Sequence, residues 1–146
     1  MSQRENLAAQ KAMRDALNSG HLEEMKRTFA NDVKDHDPAA GQPPGPEGFV
    51  EFFRMFRAAF PDLAVAIDHT VCDEENVAIA YTISGTHEGT FSGIPPTGKK
   101  VHVRGVQIAR FEDGKIVERW GSSDELGILK QLGARVSAAA GLHKAS

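Results

Sequence analysis

The sequence predicts an α+β domain whose N-terminal helices pack on a curved, antiparallel or mixed β-sheet. Two observations carry this reading. Apolar residues recur at helical spacing as far as Phe60, and from Leu63 onward they alternate with a period of two, with turn signals between the runs. A sheet of this kind folds over its helices like a cone and encloses an apolar pocket with one open end.

Between Gln3 and Asn18, Leu7, Met13 and Leu17 stand among Ala, Lys, Arg and Gln, and Gly20 follows as a stop, which predicts a first helix. Leu22, Met25 and Phe29 fall at i, i+3 and i+7, so a second short helix should cover Leu22 to Phe29 and end at Asn31 and Asp32. The run DHDPAAGQPPGPEG is a loop that brings Pro46 into the first turn of a third helix. Phe49, Phe52, Phe53, Phe56 and Phe60 recur along that helix until Pro61 forbids continuation. Such a stripe reads first as core, each buried ring stabilising by roughly 1.5–3 kcal/mol, with part of its edge lining a cavity.

Leu63, Val65, Ile67, His69 and Val71 alternate with smaller or polar residues, as do Val77, Ile79, Tyr81 and Ile83 after the turn DEEN, which predicts a hairpin. A third strand runs from Lys100 to Phe111, and the Asp-Gly turn of EDGK leads into a fourth from Lys115 to Gly121. Leu126, Leu129 and Leu132 mark a last short helix closed by Gly133. The domain is therefore expected over residues 1–133, with 134–146 as a C-terminal tail. Small residues on the second parity of the strands point to a covered face and a homodimer or larger homo-oligomer formed through the sheet.

A length of 146 residues fits one domain, and a net charge of -3 offers no electrostatic reason to bind nucleic acid or an anionic membrane. Cys72 stands alone, so neither an intrachain disulfide nor a thiolate zinc cluster can form within the chain. The first residues lack the apolar core of a signal peptide and no stretch is apolar enough to cross a bilayer, which makes the cytoplasm the expected location. Phosphate-loop, nucleophile-elbow and HExxH patterns are missing. Asp35, His36 and Asp37 look like a metal fragment, but three adjacent side chains do not converge on one ion, so no metal is expected and His36 is assigned to the pocket mouth.

The run Gly85-Thr86-His87-Glu88-Gly89, then Gly93-Ile94-Pro95-Pro96-Thr97-Gly98, Asp113-Gly114-Lys115-Ile116, and finally Asp124 with Gln131-Leu132-Gly133 resembles the SnoaL-like polyketide cyclase family, part of the nuclear transport factor 2-like superfamily. Asp37-Pro38 and Gly45-Pro46 extend the likeness upstream. The resemblance implies a cone-shaped α+β barrel, an intramolecular aldol ring closure without cofactor or metal, and an aspartate as acid/base, placed at Asp124. The cyclases carry a histidine on the strand before the Asp-Gly turn. This chain has Gln107 there, which still hydrogen-bonds a carbonyl oxygen.

Such chemistry needs a group that moves a proton beside a polarised oxygen in a dry pocket, and burial would raise an aspartate toward that task. Asp124 also stands where a helix begins, so capping backbone N–H groups is the competing reading. In a regular strand Trp120 shares the parity of Ile116 and Asp124 and becomes a pocket wall; His87 continues the inward parity of Tyr81 and Ile83. Gln107 and His87 are the candidate orienting groups, with Trp120, Phe56 and Phe60 shaping the pocket. Three functions stay open: a cofactor-independent cyclase acting on a hydrophobic carbonyl compound, a non-catalytic small-molecule binder, and an isomerase or epoxide-opening enzyme.

Overall fold

In the computed structural model, which describes residues 3–135, helix α1 (Gln3–Ser19) and a short 3-10 helix (Leu22–Thr28) lead into strand β1 (Phe29–Asp35). Helix α2 (Pro46–Ala59) follows with Pro46 in its first turn. Strands β2 (Ala64–Cys72), β3 (Asn76–Thr86), β4 (Lys100–Glu112) and β5 (Lys115–Ser123) form the rest of the sheet, and α3 (Glu125–Gln131) closes the fold. The tail expected over 134–146 lies outside the described residues from 136 onward.

The five strands are ordered β1-β5-β4-β3-β2, with β1 parallel to β5 and every other neighbour antiparallel. Sequence spacing hid β1. Phe29 and Val33 stand four apart, a helical interval, yet both are buried strand residues, and the Phe29 ring stacks on Phe49 of α2 at 4.2 Å. The expected end of the second helix at Asn31 and Asp32 is thus inside a strand.

Bulges decide which side chains face the helices. In β5 the register steps from Phe111–Ile116 to Arg110–Glu118, so Val117 is the extra residue. Ile116 is buried, but beyond the bulge the inward set is Arg119, Gly121 and Ser123, and Trp120 turns to the opposite face. In β2 the step between Ile67 and His69 does the same: Val65 and Ile67 face inward, whereas Val71 is 60% exposed. The concave face thus presents Ile79, Tyr81, Ile83 and Gln107 to α1 and α2, and the convex face presents Val106, Ile108 and Trp120.

The β4–β5 turn has positive φ at Asp113 (51°) and Gly114 (75°), the left-handed pair of a two-residue hairpin. Gln131 docks α3 on β4: its Nε2 donates to the His102 carbonyl at 3.0 Å and its Oε1 accepts the His102 N–H at 2.7 Å. His102 lies past the last β5 partner, so this side chain occupies backbone groups that β5 leaves unpaired.

Candidate active site

A cavity of about 480 Å³ lies between the concave face of the sheet and the helices. One side is apolar. Phe49, Phe52, Phe53 and Phe56 of α2 line it together with Met13 and Leu17 of α1, so the aromatic stripe serves core and cavity at once. The opposite side is polar and comes from β1, β4 and β5.

At its centre Arg119 Nη1 donates to Asp35 Oδ1 at 3.2 Å, and Arg119 Nε donates to Gln107 Oε1 at 3.1 Å. The pair is well shielded, with side-chain exposures of 18% for Arg119 and 9% for Asp35. Asp35 is held further by the Asp37 N–H at 3.0 Å and by Gln42 Nε2 at 3.1 Å, while Asp37 Oδ2 accepts the Gly121 N–H at 2.9 Å. A side chain at Gly121 would put its Cβ 2.3 Å from Arg119 Nη2, so only glycine leaves the guanidinium this room. Because Arg119 Nε can only donate, the Gln107 oxygen faces it and Nε2 is the other end of the amide; that Nε2 is buried without a hydrogen-bond partner among the described residues.

Beside this cluster, Tyr81 Oη lies 2.6 Å from Ser123 Oγ. The tyrosine spans β4 at Gly105, whose Cβ, if present, would sit 2.6 Å from the ring. Asp124 stands at the rim. Its Oδ1 accepts the Gly127 N–H at 2.8 Å as the cap of α3, and its own N–H is tied to the Arg104 carbonyl at 3.0 Å. The carboxylate lines the cavity and is exposed, so the burial expected of it is not found. Oδ2 makes no hydrogen bond among the described residues, and a Cβ at residue 127 would come within 2.2 Å of it.

Of the residues singled out in the sequence, Asp124, Gln107 and Phe56 meet at this cavity. The other four lie elsewhere. Phe60 is fully buried behind it, against Phe56, Phe91 and His87 at 5.3–5.5 Å. His87 points inward as its parity demanded, but its Nδ1 accepts the Thr97 N–H at 3.1 Å and pins the Pro-Pro loop, with Nε2 buried and unpartnered among the described residues. His36 and Trp120 stack on the convex side at 4.6 Å, and His36 Nε2 is 2.7 Å from Glu118 Oε2. His36 and Arg110 hold the Glu118 carboxyl below the usual glutamate range. Arg119 and Gln42 were not singled out, Asp35 was met only in the rejected metal fragment, and Tyr81 only as an inward strand residue. The charged pair is separated by 84 positions, and the bulge at Val117 that turns Arg119 inward leaves no local pattern.

Among the described residues no group of three or more His, Cys, Asp or Glu is arranged to hold a metal ion, and no helix is long and apolar enough to cross a membrane.

Comparison with known proteins places this geometry. Residues 7–132 match the family model of the SnoaL-like polyketide cyclases. The chain is 29% identical over 125 residues to nogalonic acid methyl ester cyclase of Streptomyces nogalater, covering 83% of this chain and 92% of the relative. It is 27% identical to the aklanonic acid methyl ester cyclase DauD of a Streptomyces species over 83% of this chain and 77% of the relative. Among solved structures, IdmH of Streptomyces antibioticus, described as a candidate polyketide cyclase, is similar with a TM-score of 0.77 and 33% identity, covering 88% of this chain and 99% of that one. AclR of Streptomyces galilaeus, described as a candidate hydroxylase, is similar with a TM-score of 0.79 and 29% identity over 90% of this chain and 98% of that one. The match across nearly the whole described fold, with a cavity between sheet and helices, makes this chain a member of the SnoaL-like polyketide cyclase family.

Proposed function

We propose that this protein is a cofactor-independent cyclase that closes a ring in a hydrophobic carbonyl compound by an intramolecular aldol reaction, with Asp124 as acid/base. One observation carries the reading: Asp124 lines the cavity with Oδ1 fixed by the Gly127 N–H and Oδ2 left without a hydrogen bond among the described residues. Oδ2 takes a proton from the carbon beside a ligand carbonyl. The resulting enolate carbon attacks a second carbonyl of the same molecule, forming the C–C bond, and the new alkoxide takes a proton back. No oxidant or reductant enters. The carboxylate is open to water at the rim, and a ligand that fills the mouth excludes the water that would compete for the proton. The aromatic wall of α2 supports a flat apolar substrate body, and the donor at Gln107 supports a carbonyl at the polar wall.

The methyl esters named for the Streptomyces relatives, nogalonic acid methyl ester and aklanonic acid methyl ester, are the first substrates to test. Asp124→Asn should reduce turnover by about 10²–10⁴-fold while ligand affinity stays within roughly threefold. Wild-type turnover in that variant would overturn the assignment. Ligand binding with no turnover in the wild type would favour a non-catalytic binder, which the exposure and capping role of Asp124 also support.

The reading includes a homodimer formed through the convex face. Val71 on β2 and Val106 and Ile108 on β4, with β3 between them, are 60%, 58% and 45% exposed there. A lone cysteine fits work in the reducing cytoplasm.

A further inference from the structure

We infer that Arg119, together with Gln107, forms an oxyanion site that binds the ligand carbonyl and stabilises the enolate formed from it. This rests on the proposal that the cavity holds an enolisable carbonyl compound, and it adds a residue and a charge state to that proposal.

The guanidinium has three nitrogens that can donate. Nη1 is used by Asp35 and Nε by Gln107. Nη2 makes no hydrogen bond among the described residues and stands over Gly121 in the cavity wall. The amide that accepts from Nε carries the second unpartnered donor, Gln107 Nε2, which is shielded from solvent. Two donors without an acceptor therefore belong to side chains already joined by one hydrogen bond. Gln107 Nε2 is buried unpaired, a cost that an arriving oxygen would relieve, and the χ3 torsion of glutamine is soft enough to turn the amide toward it.

Charge decides what the oxygen is. Asp35 neutralises Arg119, so the site does not demand a permanent anion and accepts a neutral carbonyl. As negative charge moves onto that oxygen, the guanidinium strengthens its hold without having to reorganise, because Asp35, itself held by Gln42 and the Asp37 N–H, keeps it in place. The electron pair released when the α-proton leaves comes to rest on this oxygen. It returns to carbon when the new bond forms.

The probe is 4-nitrophenol, whose ionised form carries its charge on one oxygen and absorbs in the visible. Bound to the wild-type protein it should ionise at lower pH than in water, because the donors favour the phenolate. Gln107→Met keeps the ion pair and should lose about tenfold in affinity for the phenolate, with affinity for the phenol little changed. The double variant Asp35→Asn/Arg119→Met removes both charges together and should abolish the shift, while Arg119→Lys should restore part of it. An ionisation shift unaltered in Gln107→Met and in the double variant would overturn the inference and leave the role of Asp124 standing. If 4-nitrophenol does not bind the wild type at all, the inference and the ligand cavity beneath it fall together.

Discussion

The two faces of the sheet carry similar chemistry and differ in what it can reach. On the concave face Arg119 meets Asp35 inside a cavity; on the convex face Arg110 meets Glu118, with His36 stacked on Trp120. Residues 118, 119 and 120 are consecutive, so strand alternation alone sends them to opposite sides. The inner pair is mostly shielded and borders space for a ligand. The outer pair is about a quarter to a third exposed and shares its face with the exposed apolar residues Val106 and Ile108. Water screens the outer charges and leaves them little net contribution, whereas the inner charges depend on each other. Residue type therefore does not distinguish site from surface here; the bulge at Val117 does.

Variants can break that contrast. The largest expected effect is Arg119→Met alone, which strands Asp35 beside the cavity and should destabilise by about 3 kcal/mol in urea unfolding; adding Asp35→Asn should recover most of the loss. Glu118→Gln on the convex face should barely move the same transition. Next comes Gly105→Ala, whose Cβ meets the Tyr81 ring; pushing the ring aside should cost about 1–3 kcal/mol and disturb the contact with Ser123. Ile108→Lys sits on the exposed face and should change monomer stability by less than about 0.5 kcal/mol, yet shift the proposed dimer to monomer by light scattering.

The smallest effect sharpens the comparison at the sheet's end. The Thr86 backbone N–H and then its hydroxyl hold the Asp62 carboxyl below the usual aspartate range. A lowered folded pKa contributes stability that is present above the unfolded value and is lost as pH falls through the folded one. Asp62→Asn should therefore lower Tm by a few degrees at neutral pH, and the difference from wild type should close in acid below about pH 4.

Much of the architecture was legible along the chain. The aromatic spacing of α2, the Pro46 start, the Asp-Gly turn and the four antiparallel strands rest on local patterns, and each stands within a few residues of its predicted span. Strand β1 was not legible, because its pairing with β5 is parallel and long-range and its two buried residues mimic a helix turn. The site divided along the same line. Asp124 and Gln107 were reached through the family resemblance and the position before a turn, and both lie at the cavity. Trp120 and Val71 were assigned by simple alternation, which a single inserted residue reverses. His87 kept its parity but packs against Phe60, since inward in this fold means core at the Thr86 end of β3 and cavity at Tyr81.

The central claim, that the concave face with Asp124 at its rim is where ligand acts, is tested most directly by backbone amide NMR during titration with aklanonic acid methyl ester. The Gly127 amide, which donates to Asp124, and the Gly121 amide, which donates to Asp37, should shift together with residues of β3 facing α2. Saturable shifts confined to Ala78, Val106 and Ile108 on the convex face, with Gly121 and Gly127 unmoved, would contradict it.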